Sequence, residues 1–125
     1  MGRRTYEAAN KRLGESTFSG TTAIVLAECP QDHPEVTVVS ELNPDWVRTL
    51  QPRSGKDICL FGGSEPFRSF LDSGHVDTVG VNVIPGLLGG GVPRLPPPYN
   101  PAKLCLLSHR IYRSGRVSLA YQVQH

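Results

Sequence analysis

The 125 residues of this chain hold one domain and hardly two. Hydrophobic residues make up 38% of it and charged residues 19%, so it can bury a core and need not be disordered. Thirteen Lys and Arg against eleven Asp and Glu leave a net charge of +2, which excludes nucleic-acid binding driven by bulk positive charge.

In chain order, residues 3–12 read as a helix, with Tyr6, Ala9 and Leu13 recurring at three- and four-residue steps and Gly14 placed to end it. A polar loop from Ser16 to Gly20 precedes a strand over Thr22–Ala27, whose apolar run Ala23 to Leu26 suits burial on both faces. Val36–Ser40 is a second strand. Pro44–Leu50 is a short helix with Asn43 as N-cap and Pro44 at its first position. After a turn at Ser54-Gly55-Lys56, Ile58–Phe61 reads as a buried strand running into Gly62-Gly63. Pro66–Leu71 is a helix with an apolar face of Phe67, Phe70 and Leu71, stopped at Gly74. Thr78–Ile84 alternates valines with small and polar residues, as a strand with two distinct faces does. Leu87–Pro101 is rich in glycine and proline and predicts a surface loop. Leu104–Tyr112 and Arg116–Val123 form a hairpin around Arg113-Ser114-Gly115. This order predicts an α/β fold with one sheet, parallel in its middle and antiparallel at its C-terminal edge.

Three segments have the pattern of ligand contacts. Ile58 to Phe67 runs from strand through two glycines to a helix start, where unpaired N–H groups and the helix dipole suit a phosphate. The same glycine pair also reads as a tight strand-to-helix turn, and no Walker lysine follows it. Gly2-Arg3-Arg4-Thr5 places two guanidinium groups and a hydroxyl at another helix start, which suits a phosphate or a solvated basic face. Gly89-Gly90-Gly91 suits close backbone approach or a flexible connector. Cys29, Cys59 and Cys105 lie far apart, which argues against a disulfide framework or zinc knuckle and for a reducing, cytoplasmic setting. Cys59 reads as an inert buried residue, and Trp46 as a packing residue. His33, His75, His109 and His125 are scattered without metal-ligand spacing and read as loop or surface residues. No serine-nucleophile elbow is present. The sequence has no apolar run long enough for a membrane helix, and the start MGRRTYE has no signal-peptide core.

The motifs have a familiar order. Gly2-Arg3-Arg4-Thr5-Tyr6-Glu7 resembles the G-R-x-T-[YW]-E helix start of the dihydrofolate reductase superfamily. Leu60 to Leu71 is similar to its nucleotide-binding glycine pair and helix. Val83 to Gly91 and Leu107 to Val117 resemble the reductase domain of bifunctional riboflavin-biosynthesis deaminase–reductases and their stand-alone relatives. The resemblance spans the whole chain. It implies a dihydrofolate reductase-like three-layer sandwich over residues 1–125, with a mostly parallel central sheet. It also implies a reductase that takes its hydride from NADPH and acts on a pyrimidine or pterin-like heterocycle. By motif, Arg3 contacts the adenosine 2′-phosphate and Thr5 the pyrophosphate region, with Gly2 and Arg4 also among the cofactor-binding residues. Gly62, Gly63, Ser64 and Glu65 line the pyrophosphate and nicotinamide side, with Phe61 and Phe67 also among the cofactor-binding residues. Leu26, Ala27 and Glu28 lie near the 2′ end of the adenosine. A homodimer joined near the C-terminal strands is also implied, with neither nucleic acid nor membrane as partner.

The sequence departs from the family pattern twice. The chain starts at the G-R-x-T motif, where family members have a preceding strand, substrate loop and helix, so a truncated or degenerate member is expected. Ala27-Glu28 stands where a hydroxyl or basic residue is usual, and a carboxylate there favours a free ribose 2′-OH, as in NADH. Two functions follow as alternatives: an NAD(P)H-dependent reductase, or an inactive remnant that binds nucleotide or only dimerises.

Overall fold

The structure is a computed structural model that describes residues 1–13, 23–27, 37–40, 44–50, 57–97 and 100–125. The expected Gly14 stop, the Ser16–Gly20 loop, Asn43 as cap, the Ser54–Lys56 turn, and Glu28, Cys29 and His33 lie outside the described residues.

The N-terminal elements are α1 (Arg3–Leu13), β1 (Ile24–Leu26), β2 (Thr37–Val39) and α2 (Pro44–Leu50). β1 pairs with β2 in parallel, and its other side is taken by the chain start. The Met1 ammonium donates to the Ile24 carbonyl at 3.0 Å, and the Leu26 N–H donates to the Met1 carbonyl at 2.9 Å. α1 packs on β1 through its buried face of Tyr6 and Ala9. Tyr6 is 0% and Val25 1% exposed, and each side chain so buried contributes about 1.5–3 kcal/mol. Leu13, expected on the same face, is 69% exposed, because it is the last residue of the helix and none of the described elements covers that turn.

The C-terminal elements are α3 (Ser64–Asp72), β3 (Thr78–Val83), β4 (Lys103–Ile111) and β5 (Val117–Gln124). The three strands form a separate antiparallel sheet in the order β3-β5-β4. Register puts Val79, Val81 and Val83 beside Tyr121, Leu119 and Val117, with Leu104, Leu106 and Ile111 beyond them on the same face. A bulge at Leu107 absorbs one residue and keeps Ile111 on that face with Leu106. Val79 and Val123 are buried, yet β4 is exposed at every residue and Ile111 is 71% exposed.

Two expectations are therefore corrected. The sheet is not mostly parallel: among the described residues, only the two short strands β1 and β2 pair in parallel, and the longer strands are antiparallel. Ile58–Phe61 is neither a strand nor buried. Among the described residues no strand pairs with this segment and no layer covers it, so Ile58 is 63% and Phe61 49% exposed, and Cys59 is exposed. α3 also begins two residues earlier than the periodicity of its apolar face predicts. The hairpin, the β3 strand and the irregular 84–97 segment agree with the sequence reading.

Candidate functional site

The two glycine-marked helix starts meet. A Cβ on Gly62 would lie 2.8 Å from Thr5 Cγ2, and one on Gly63 would lie 3.4 Å from the Gly2 nitrogen. Gly62 and Gly63 have φ of 76° and 93°, so these positions favour glycine twice over, by conformation and by close approach. The reading of Gly62-Gly63 as a tight turn is thus correct as far as it goes, and the turn brings the first turn of α3 against that of α1.

Each helix contributes unpaired donors. The first intrahelical bond of α1 runs from Tyr6 N–H to Gly2, and that of α3 from Phe67 N–H to Gly63. The N–H groups of Arg3, Arg4 and Thr5, and of Ser64 and Glu65, precede those bonds and have no partner within their helices. Gly63 caps α3 with no side-chain hydrogen bond, so its own cap leaves the first donors of α3 open to a ligand. Two adjacent dipole ends with free N–H groups favour an anion such as a phosphate.

The side chains are less uniformly placed. Arg3 Nε lies 3.9 Å from Glu7 Oε1, along its own helix, and both groups are substantially exposed. Arg4 is exposed, Leu26 half-buried and Ala27 buried. The Ser64 hydroxyl donates to the Pro93 carbonyl at 2.8 Å, which leaves it holding the 84–97 segment rather than capping α3. Glu65 is exposed in the first turn of α3, where a carboxylate complements the helix dipole. Phe67 is half-buried beneath Arg94, whose Cζ is 5.4 Å from the ring centroid.

Arg94 was not legible as a site residue. It sits in a segment that reads as a surface loop, and only the Ser64–Pro93 bond brings it to α3. The one available signal is that Arg94 is the sole cation between Ile84 and Ala102. Gly89-Gly90-Gly91 approaches nothing within 4 Å, in keeping with a connector. A shallow groove of about 420 Å³ lies elsewhere, between the end of α3 at Leu71 and Asp72 and the open end of the hairpin at Lys103 and Gln124. Burial lowers the Met1 ammonium below its ordinary pKa, with nearby Cys59 pulling the other way. Among the described residues, no cluster of His, Cys, Asp or Glu could hold a metal, and no helix is long and apolar enough to cross a membrane.

Comparison with known proteins bears on the fold and the family. Two uncharacterised Bacillus subtilis proteins are similar: YwjB, 28% identical over 108 residues, and YyaP, 32% identical over 75 residues. The matched parts are 85% and 60% of this chain, but only 62% and 40% of those proteins, so the chain spans about half the length of these relatives. Among solved structures, one provisionally described as a riboflavin biosynthesis protein, from Shewanella sp. PV-4, superposes over the whole chain and 72% of its own length. Its TM-score is 0.80 at 18% identity. A pyrimidine reductase-like protein from Corynebacterium diphtheriae gives 0.62, also at 18% identity, over 84% of this chain and 50% of its own. The RibD C-terminal domain family matches residues 5–118, from the first turn of α1 through the start of β5, and the chain belongs to that family.

Proposed function

We propose that the chain binds a reduced nicotinamide dinucleotide across the paired starts of α1 and α3, as a cytoplasmic reductase of a pyrimidine or pterin-like heterocycle. NADPH is the expected donor and NADH the alternative. The observation that carries this reading is the packing of Gly62 and Gly63 against Thr5 and Gly2, which sets the two helix starts side by side. Membership of the RibD C-terminal domain family supports the reaction class.

The chain's own residues have binding and positioning work to do. Backbone N–H groups of residues 3–5 and 63–65 are the donors for a pyrophosphate. Arg94, stacked on Phe67, adds a cation beside the same helix start. Arg3 reaches a 2′-phosphate only by leaving Glu7; an exposed pair at 3.9 Å is worth under about 1 kcal/mol, so the exchange costs little. When bound, the reduced nicotinamide supplies the hydride, and alignment of donor and acceptor carbons is the protein's contribution.

A second copy of the chain is the proposed partner. The apolar face of the C-terminal sheet supports this: Leu104, Leu106, Ile111 and Val83 share it and are 44–71% exposed. An isologous contact would bury such a face against itself.

Calorimetric titration with NADPH and with NADH tests the cofactor reading. Arg3→Ala should weaken NADPH by roughly tenfold and leave NADH nearly unchanged, since a guanidinium–phosphate bond is lost for only one of them. Equal loss for both would remove Arg3 from that role, and no binding of either would overturn the reading. Absorbance loss of the reduced nicotinamide with an aminopyrimidine riboside then separates a working reductase from a module that binds without turnover.

A further inference from the structure

Acidic residues stop at Asp77. From Thr78 to His125 the sequence carries Arg94, Lys103, Arg110, Arg113 and Arg116 and not one Asp or Glu. Three of these five cations fall within seven residues, at the β4–β5 turn.

Strand register gathers them on one face. Arg110 pairs with Ser118, which pairs on its other side with Asn82, so the three project together, away from the apolar face. Tyr112 and Arg116 form the next row, joined by the Tyr112 N–H donating to the Arg116 carbonyl at 2.9 Å. Both guanidinium groups lie over the Tyr112 ring: Arg116 Cζ is 3.9 Å and Arg110 Cζ 4.9 Å from its centroid. Two like charges therefore share one aromatic ring, and among the described residues no carboxylate pairs with either. Arg116 Nε is buried and has no hydrogen-bond partner.

The platform is held in place. Gly115 donates to the Tyr112 carbonyl at 3.0 Å, the Arg116 N–H donates to Ser114 Oγ at 3.4 Å, and Pro85 packs where a Cβ on Gly115 would stand. A guanidinium stacked on a ring keeps its in-plane donors free, and planar forks with fixed orientation suit phosphate oxygens.

We propose that the hairpin end of the three-stranded sheet binds a small phosphate monoester through Arg110 and Arg116, with Ser118 and Asn82 as neutral donors in the adjoining row. Two uncompensated cations match a dianion, and an oxygen acceptor would offset the repulsion between them. A small ligand fits better than a polynucleotide. Beyond these two rows the same face carries only neutral residues, Ala120, Gly80, Gln122 and Thr78 among them, until Lys103, so it offers no charged track. This inference does not rest on the nucleotide reading of α1 and α3.

The test is a titration of the whole chain with inorganic phosphate and then glycerol 3-phosphate, at constant ionic strength, followed on the arginine Nε–Hε NMR signals. Saturable shifts of Arg110 and Arg116 are expected. The pair of changes Arg110→Gln and Arg116→Gln should weaken binding at this face roughly tenfold or more, whereas Lys103→Gln leaves it unchanged. Arg116→Lys, which keeps the charge and loses the planar stack, should fall between. Equal shifts with chloride, or phosphate binding undiminished in the double variant, would overturn the proposal. Much tighter binding of a short oligonucleotide than of glycerol 3-phosphate would also overturn it, in favour of a nucleic-acid surface.

Discussion

The two ends of this molecule solve the burial problem differently. At the N-terminus, β1 is enclosed by β2 on one side, by Met1-Gly2 on the other and by α1 across its face, so Tyr6 and Val25 are sealed although the strands are three residues long. At the C-terminus the strands are two to three times longer and paired along most of their length, yet β4 and the end of β3 leave their apolar face open. Pairing alone does not bury side chains, since hydrogen bonds run in the plane of the sheet and side chains stand out of it. A sheet face is buried only by another layer. The N-terminal unit has that layer within the chain, and the C-terminal sheet lacks it over β4.

The sharpest way to break this contrast is to truncate a side chain in each region. Tyr6→Ala should destabilise the fold by roughly 3–5 kcal/mol, as large aromatic truncations in a sealed core do. Urea unfolding would measure it; a loss below that of an ordinary surface change would mean that α1 and β1 do not form the stability-determining core.

The glycines give the next comparison. Gly62→Ala puts a methyl 2.8 Å from Thr5 Cγ2 at a φ of 76°, and should cost about 1–3 kcal/mol and separate the two helix starts. Gly80→Ala, in the open sheet, meets nothing within 4 Å and should change stability by less than about 0.5 kcal/mol. Equal effects at the two positions would remove the packing argument for the glycine pair.

The open face makes a prediction of opposite character. Leu106→Ser with Ile111→Ser should alter monomer stability little but weaken self-association by roughly tenfold or more, because both side chains are over half exposed in the single chain. Light scattering across a concentration series would report it, and a wild-type chain that stays monomeric at high concentration would eliminate the second copy as the covering layer.

The smallest effect is on pH. Burial lowers the Met1 ammonium below its ordinary value of 8.0, so the unfolded chain binds the proton more tightly than the folded one. That group's contribution to stability therefore rises with pH through the window below 8.0 and is complete above it. Acetylating the amine should remove this increment from the pH profile of urea midpoints; an unchanged profile would mean that the ammonium is solvated in the folded state.

Much of the fold was written in local patterns. Period-3.6 spacing located α1, alternating valines located β3 and β5, and Arg113-Ser114-Gly115 located the hairpin turn, because each of these elements is decided by residues a few positions apart. Where the sequence reading failed, the deciding residues were distant. Ile58–Phe61 has the composition of a buried strand, but a strand needs a partner, and that none of the described residues pairs with it is not written in any local stretch of sequence. The antiparallel pairing of β3 with β5 joins residues 34–44 positions apart, and the bulge at Leu107 lies between β4–β5 pairs 12 and 15 positions apart; neither leaves a local signature.

The candidate site divides along the same line. The sequence by itself determined that Gly2–Thr5 and Gly62–Glu65 are helix starts rich in free donors, since helix geometry fixes which N–H groups lack partners. Only the tertiary structure decided that these two starts adjoin, that Ser64 is spent on Pro93, that Arg94 joins them, and that Arg110 and Arg116 share one tyrosine. Donor character is a property of the local backbone, whereas the meeting of donors depends on how far the chain returns upon itself, and that is settled by packing.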